Sequence, residues 1–381
     1  MRRTTILSVV LLVATMGLFA GCELFESGGK AVKFTAAAKN DLGTKTVYAP
    51  YTAGAAKQDI YWSDNDQIAI YSSDIAVANY PDAATTADQN HVSYALAVQS
   101  DKTEAKLKNI GDRGMQWTGT APGANFYFDA VYPAITGTVE TVGGNTLHRF
   151  AMNIPADQSS YYSSTSENPT DMSHAYMSAM QKVTSANSEV NLQFYPAFTA
   201  FEIELKNGDT APGNANLTIT KVAIKSDSQE LSGDYFTRWS RATVSGQIPM
   251  FFGKVGNFGT EVSVTFPSAS RPSIVAGDSN SSVHFTLLAL PFDTAASDPF
   301  YESSSLSNLC LEVTYVVPGS DPAMEWSRKL ELKRNGNFIE FTCCMKHRIT
   351  GVAFKVGELW KLEVDGMVAD WNSAENTTIQ L

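Results

Sequence analysis

The sequence predicts an all-β protein made of two antiparallel β-sandwich domains in tandem, and three observations carry that expectation. Apolar and polar residues alternate with period two through most of the chain, as they do in strands with one buried and one wetted face. Turn-forming groups punctuate these runs, as at Asn207-Gly208-Asp209, Asn335-Gly336 and Asp365-Gly366. The length of 381 residues suits two cores better than one.

The strands follow in order. Val32, Phe34, Ala36 and Ala38 share one face near the start, and Ile68 and Ile70 follow Trp62. Phe126 and Phe128 lead into Val131 and Tyr132. A polar, serine-rich stretch from Asp157 to Pro169 and another from Thr184 to Glu189 precede a strong strand pair beginning at Val190. The domain boundary is therefore expected near 188, with 31–188 and 189–381 as the two domains. In the second half Phe201, Ile203 and Leu205 alternate with Glu202, Glu204 and Lys206, and Val262/Val264/Phe266, Leu311/Val313/Tyr315 and Val352/Phe354 repeat the habit. Amphipathic helices are scarce, the best candidate being Asp171–Val183.

Composition removes several classes of function. The apolar share of 44% excludes a disordered acidic chain, and a charged share of only 18% excludes a long coiled coil. The formal charge is −11, and it grows more negative when Arg2 and Arg3 are lost with a leader. Nucleic acid is not an expected partner, because phosphate binding draws on clustered positive charge.

Residues 1–21 read as an export leader: Arg2 and Arg3 precede an apolar run, Ile6–Ala20, that is too short to span a bilayer of roughly 30 Å comfortably. The run ends Leu18-Phe19-Ala20-Gly21-Cys22, which resembles the lipobox of bacterial lipoproteins. That resemblance implies lipidation of Cys22 and, with Glu23 next to it, an outer-membrane destination. Two or three acyl chains, at about 0.8 kcal/mol per buried CH₂, would anchor the protein almost permanently. Residues 22–30 then read as a flexible tether.

A wider resemblance joins these features. Thr44-Lys45-Thr46-Val47-Tyr48, then Ile60-Tyr61-Trp62-Ser63-Asp64-Asn65-Asp66-Gln67-Ile68, Val131-Tyr132-Pro133, Ile154-Pro155-Ala156-Asp157-Gln158, Val190-Asn191-Leu192-Gln193-Phe194-Tyr195-Pro196 and the closing Leu359-Trp360-Lys361-Leu362 occur in this order. Together with the lipobox they resemble the fimbrillin-family lipoproteins of the Bacteroidales, the subunits of type V pili. The resemblance implies two transthyretin-like β-sandwich domains, a surface fimbrial or adhesive role, and proteolytic removal of the first strand. A terminal strand of the next subunit would fill the vacated groove, giving a head-to-tail homo- or hetero-polymer.

On that resemblance, Val32, Phe34 and Ala36 are the candidate displaced strand. The tail 368–381, with Trp371, Ile379 and Leu381 on one parity, is the candidate donor. Family members are trimmed after an arginine, but none occurs between Cys22 and Asp112; Lys39 and Lys45 become the candidate cleavage points. The expected partners are other pilin subunits, the outer membrane through the lipid, and host or bacterial surface ligands. A carbohydrate-binding lipoprotein of a glycan-uptake system is the alternative, with Trp117, Trp239, Trp326 and Trp360 as potential stacking platforms.

No constellation for catalysis, cofactor or metal is expected. Asp64-Asn65-Asp66 opens like a calcium loop, but Ala69 stands where that loop needs Gly and Ile75 where it needs Glu; a hairpin turn is expected instead. His174 with Met172, Met177 and Met180 suggests packing before soft-metal capture. Two Asp-Thr-Ala triplets, at 209–211 and 293–295, resemble an O-glycan acceptor. Cys310 and Cys343 are a candidate disulfide in an oxidising envelope, with simple burial the other reading.

Overall fold

A computed structural model describes residues 30–38, 47–48, 60–78, 91–99, 104–117, 125–159, 173–184, 186, 189–207, 216–241, 248–275, 278, 282–294, 304–316, 325–334, 336–354, 363–367 and 378–380. The described chain is almost wholly strand and turn. Among these residues no helix is long and apolar enough to cross a membrane.

Seven strands close on one another in the first unit. Around the barrel they run Phe34–Ala38, Val190–Pro196, Met177–Val183, Phe126–Tyr132, Gln67–Tyr71, His91–Val98 and Glu104–Asn109, which returns to Phe34–Ala38. Parity decides the faces. Ile68 and Ile70 point into the barrel, while their neighbours Ala69 and Tyr71 belong to a second core outside it. The barrel core is strongly aromatic, holding Phe34, Trp62, Tyr94, Trp117, Phe128 and Phe194.

The second unit is a sandwich. One sheet orders its strands Ser282–Ala289, Thr199–Asn207, Lys346–Phe354, Glu363–Met367 and Thr378–Gln380; the other orders Glu261–Thr265, Leu217–Ser226, Leu309–Val316 and Glu325–Glu331. Phe201, Ile203 and Leu205 of the first sheet share one core with Val222, Ile224 and Val313 of the second. Gln158 shields the outer edge of Ser282–Ala289: its amide donates to the Leu288 carbonyl at 2.7 Å and its carbonyl accepts from the Leu288 N–H at 3.0 Å. An edge so capped offers no free ladder at that point.

A third sheet joins the halves. It orders Gly137–Val142, Asn145–Ile154, Ser232–Trp239 and Met250–Gly259, so two strands come from each side of the predicted boundary. Trp239 Nε1 donates to Ser178 Oγ at 2.8 Å, and that hydroxyl donates to the Ala130 carbonyl at 3.1 Å, pinning this sheet to the barrel.

Four expectations differ from what the fold shows. The strand opening at Val190 pairs with the first strand and with Met177–Ser178, so it completes the barrel, and the chain crosses over at Ala197–Phe198 instead of near 188. The predicted helix at Asp171–Val183 is instead a strand at Met177–Val183, in register with Phe126–Tyr132 over its whole length. Its Met, Ala, Gln and Lys favour helix locally, but sheet pairing and burial of Met177 and Ala179 override that preference. Asp365-Gly366 lies within Glu363–Met367 and makes no turn. Among the described strands, pairing is antiparallel except for two parallel pairs, Phe34–Ala38 with Val190–Pro196 and Thr199–Asn207 with Lys346–Phe354.

Candidate functional site

The first strand is where sequence pattern and fold meet. Its alternation puts Val32, Phe34 and Ala36 inward, and all three are buried in the barrel core, while Lys33 faces solvent. One side of it runs parallel to Val190–Phe194, with Phe34 opposite Val190 and Ala36 opposite Leu192. The other runs antiparallel to Glu104–Lys106, with Ala36 opposite Ala105. The strand is therefore the stave that closes the barrel.

Backbone bonds clip its leading end. Val32 N–H donates to the Met115 carbonyl, Trp117 N–H to the Lys30 carbonyl and Val190 N–H to the Lys33 carbonyl, each at 2.9 Å. Thr35 Oγ1 donates to Asn191 Oδ1 at 2.6 Å. Beneath the strand lies an aromatic box. Phe34 stands 5.2 Å from the Tyr94 ring and 5.4 Å from that of Phe128, spacings at which tilted rings attract. Trp117 backs Phe128 at 5.8 Å, and Trp62 meets Phe194 at 5.7 Å.

Tyr94 ties the box to the clip. Its hydroxyl accepts the Met115 N–H at 2.9 Å, so one residue, Met115, bonds to the floor of the groove and to the strand above it. Burial pushes the Tyr94 phenol up to about 12, against the smaller opposing effect of that N–H.

Behind the floor, on the outer side of the Phe126–Tyr132 strand, sits a buried ionic group. Arg241 grips Asp129 with both nitrogens, each at 2.7 Å, and His148 Nδ1 lies 2.6 Å from the same carboxylate. Burial alone would raise the Asp129 carboxyl, but the hydrogen bonds and charges of His148 and Arg241 outweigh it and hold the group below its ordinary value. Arg241 also lies over the Tyr127 ring, 4.6 Å from its centroid. This group ties the barrel to the joining sheet directly behind Phe128.

The donor residues fall differently. Trp371 and Leu381 lie outside the described residues, as do Cys22, Lys39 and Lys45. Ile379 stands in Thr378–Gln380, which pairs antiparallel with Glu363–Met367 of the same chain, Ile379 opposite Gly366. Glu363–Met367 in turn pairs with Lys346–Phe354 at Val352↔Val364 and Ala353↔Glu363 among the described residues.

The candidate disulfide is not formed. Cys310, Cys343 and Cys344 are all free and buried. Cys310 lies within Leu309–Val316 between Lys225 and Glu331, its thiol beside Lys329, whereas the Cys343 thiol packs against Thr199 and Asp293. Burial pushes both thiols above their ordinary value. Simple burial was the other reading of these residues, and it is the one the fold adopts.

Other motifs resolve into structure. Asn65 takes a left-handed φ of 70° in a tight turn, Asp64 Oδ1 accepts the Val98 N–H at 3.1 Å, and Asp66 Oδ2 accepts the Tyr132 hydroxyl at 3.2 Å. It is a turn, as expected, but not a hairpin: Ile60–Tyr61 before it pairs with Val47–Tyr48, and Gln67–Tyr71 after it pairs with His91–Val98 and Phe126–Tyr132. His174 Nδ1 lies 2.9 Å from the Asn153 carbonyl and Met177 is buried in the barrel. Among the described residues no group of His, Cys, Asp or Glu is arranged to hold a metal ion. Thr294 is buried, which closes its hydroxyl to a glycosylating enzyme, and Thr210 lies outside the described residues. Of the stacking tryptophans, Trp117 and Trp239 are buried, Trp326 is half-buried and Trp360 is not described.

Sequence reasoning missed the groove floor. Val92, Tyr94 and Leu96 alternate as plainly as the other strands, but alternation does not say which strand lies over them. The local signal for Asp129 was present: a single acid inside the otherwise apolar and aromatic strand Phe126–Tyr132, directly after Phe126-Tyr127-Phe128.

No family model and no curated protein matches the chain. Among solved structures it is similar to a candidate cell adhesion protein from Bacteroides ovatus, with 13% identity over 93% of this chain and 99% of that one, at a TM-score of 0.44. A candidate cell adhesion protein from Bacteroides uniformis shares 16% identity over 91% and 98%, at a TM-score of 0.43. A fimbrial assembly protein from Parabacteroides distasonis shares 9% over 92% and 99%, at 0.39. The structural neighbours of this chain are thus cell adhesion and fimbrial proteins of the Bacteroidales.

Proposed function

We propose that this chain is a non-catalytic fimbrial subunit or adhesin, carried to the outer membrane as a lipoprotein through Cys22 and, once its first strand and lipid are cut away, assembling head to tail by β-strand complementation. One observation carries the reading: the strand that closes the barrel is the first of the described strands, and its three inward side chains fill an aromatic groove. Removing it would leave two unpaired strand edges flanking an apolar floor, which is what attracts a foreign strand.

The energetics agree. While covalently attached, the first strand competes at high effective concentration, so a strand from a neighbour cannot displace it. A cut at Lys39 or Lys45, just beyond Ala38, changes that. Burial of Val32 and Phe34 contributes roughly 3–6 kcal/mol in all, the scale of a millimolar complex, so the severed strand would leave.

The test is direct. Protein recovered from cells would run as ladders that survive detergent and collapse on boiling, and its N-terminus would lie beyond Lys39 or Lys45. Deleting the tail after Asp370 would abolish the ladders. Only monomer from cells, with an N-terminus still at Cys22, would sink the proposal.

A further inference from the structure

The outer face of the joining sheet carries charged groups that the barrel groove does not use. Phe150, Met152, Tyr235 and Phe252 bury one side of that sheet in the core, so alternation turns Arg149, Phe236, Arg238 and Phe251 to the other side. Arg149 and Arg238 stand directly opposite each other on Asn145–Ile154 and Ser232–Trp239. Like charges so placed cost stability.

Both guanidiniums rest on rings. Arg149 Cζ lies 3.7 Å from the Phe236 centroid, and Arg238 Cζ lies 5.6 Å from that of Phe251. Phe236 in turn lies over Gly253, where an added Cβ would stand 2.2 Å from the ring. Backbone, ring and guanidinium thus form three layers, and a guanidinium held by its face keeps its in-plane donors for a ligand. Those donors are unmatched. Arg149 makes no hydrogen bond or ion pair among the described residues. Arg238 Nη1 lies 3.3 Å from Glu140 Oε2, yet neither Nη1 nor Nε makes a hydrogen bond. Asp234, further along the same strand, is taken by the amides of Asn153 and Asn257 at 2.6 and 2.5 Å.

We infer that this face binds a polysaccharide whose sugar rings bear carboxylates, with one carboxylate lying between Arg149 and Arg238. Both strands are interior to the sheet, so their ladder groups are already bonded and a peptide gains no main-chain pairing there. The ligand is read by its charge, which two guanidiniums match with bidentate donors, and by an apolar ring face, which half-buried Phe251 beside Arg238 receives. A sugar acid supplies both. On a chain of net charge −11 the acid is held by these local contacts and not by a general positive field. Such a ligand serves the adhesive part of the proposed function, on which the inference rests, and its site shares no residue with the barrel groove.

Full-length protein on a sensor surface should bind polygalacturonate at about 0.1 M salt, and more weakly as salt rises. Arg149→Gln and Arg238→Gln should each lower the affinity about tenfold or more, and Arg149→Lys should restore only part of it, because an ammonium lacks the fork. Both glutamine variants should keep nearly the parent melting temperature, since the repulsion between the two arginines goes together with a ring contact. Both should also still assemble into detergent-stable ladders, so failure here and failure of strand complementation show separately. No binding by intact protein, or equal binding by the double glutamine variant, would overturn the inference. Equal binding of the methyl-esterified polymer would overturn the role of the carboxylate, and binding of polyglutamate alone would overturn the sugar and make an acidic protein the partner.

Discussion

Phe34 meets Phe128 edge to face, with ring centroids 5.4 Å apart and planes at 78°, and the contact joins the first strand of the barrel to the middle of its wall. Phe34→Ala removes that contact and opens a cavity in a closed core. The expected loss is about 3–5 kcal/mol of unfolding free energy, read from the denaturant midpoint of full-length protein. A loss well under 1 kcal/mol would mean that the strand is not a structural stave.

Tyr94 lies beneath the same strand, and its phenol is raised to about 12 by burial. A raised acid contributes stability that is complete below its unfolded value of 10.0 and is lost as pH climbs through the folded one. Between pH 10 and 12 the intact protein should therefore lose stability, and Tyr94→Phe should lose less of it over that window. At neutral pH the same variant orphans the Met115 N–H and should cost about 1–3 kcal/mol.

Asp129 is held by Arg241 and His148 below its ordinary 3.8. For a depressed carboxyl the stabilising contribution is present above 3.8 and disappears as pH falls through the folded value. Asp129→Asn leaves Arg241 buried without its charge partner, and the expected cost at neutral pH is about 3–5 kcal/mol. Acid titration of the variant should show a shallower decline below pH 3.8 than that of the parent; identical slopes would mean the carboxylate is not held as described.

His284 is lowered below 6.5, first by burial, with Arg348 and Lys206 adding to the effect and Glu204 and Glu202 opposing it. Its neutral form is the folded one, so its contribution is present above pH 6.5 and fades as pH drops through the lowered folded value. Melting temperature should fall on mild acidification, and His284→Gln should flatten that fall. A variant with an unchanged profile between pH 7 and 5 would exclude this group as the cause.

The three thiols make a simpler case. Cys343 is raised by burial beside Thr199 and Asp293, and a thiolate is the reactive form. An aromatic disulfide reagent should label none of Cys310, Cys343 and Cys344 in folded protein and all three after denaturation. Rapid labelling of native protein would contradict their burial.

Period two showed the strands, and with them the all-β class and the face of each residue: Val32, Phe34 and Ala36 inward, Glu202 and Glu204 opposite Phe201 and Ile203. Glycine and asparagine marked the turns at Asn65 and Gly336, whose backbones take positive φ. These are local properties, fixed by which residues sit one or two positions apart. Helix propensity misread Met177–Val183 for the same reason, because it too is local and gives way to a neighbouring strand.

What the sequence by itself determined is therefore the strand content, the parity and the apolar face of the first strand. The tertiary structure alone decided that this strand lies against Val190–Phe194 on one side and Glu104–Lys106 on the other. It also decided that a barrel closes across the predicted boundary, and that Asp129 finds Arg241. The physical reason is that any alternating strand can pair with any other of matching face. Partner choice rests on shape and charge between residues far apart in the chain, and no periodicity records it.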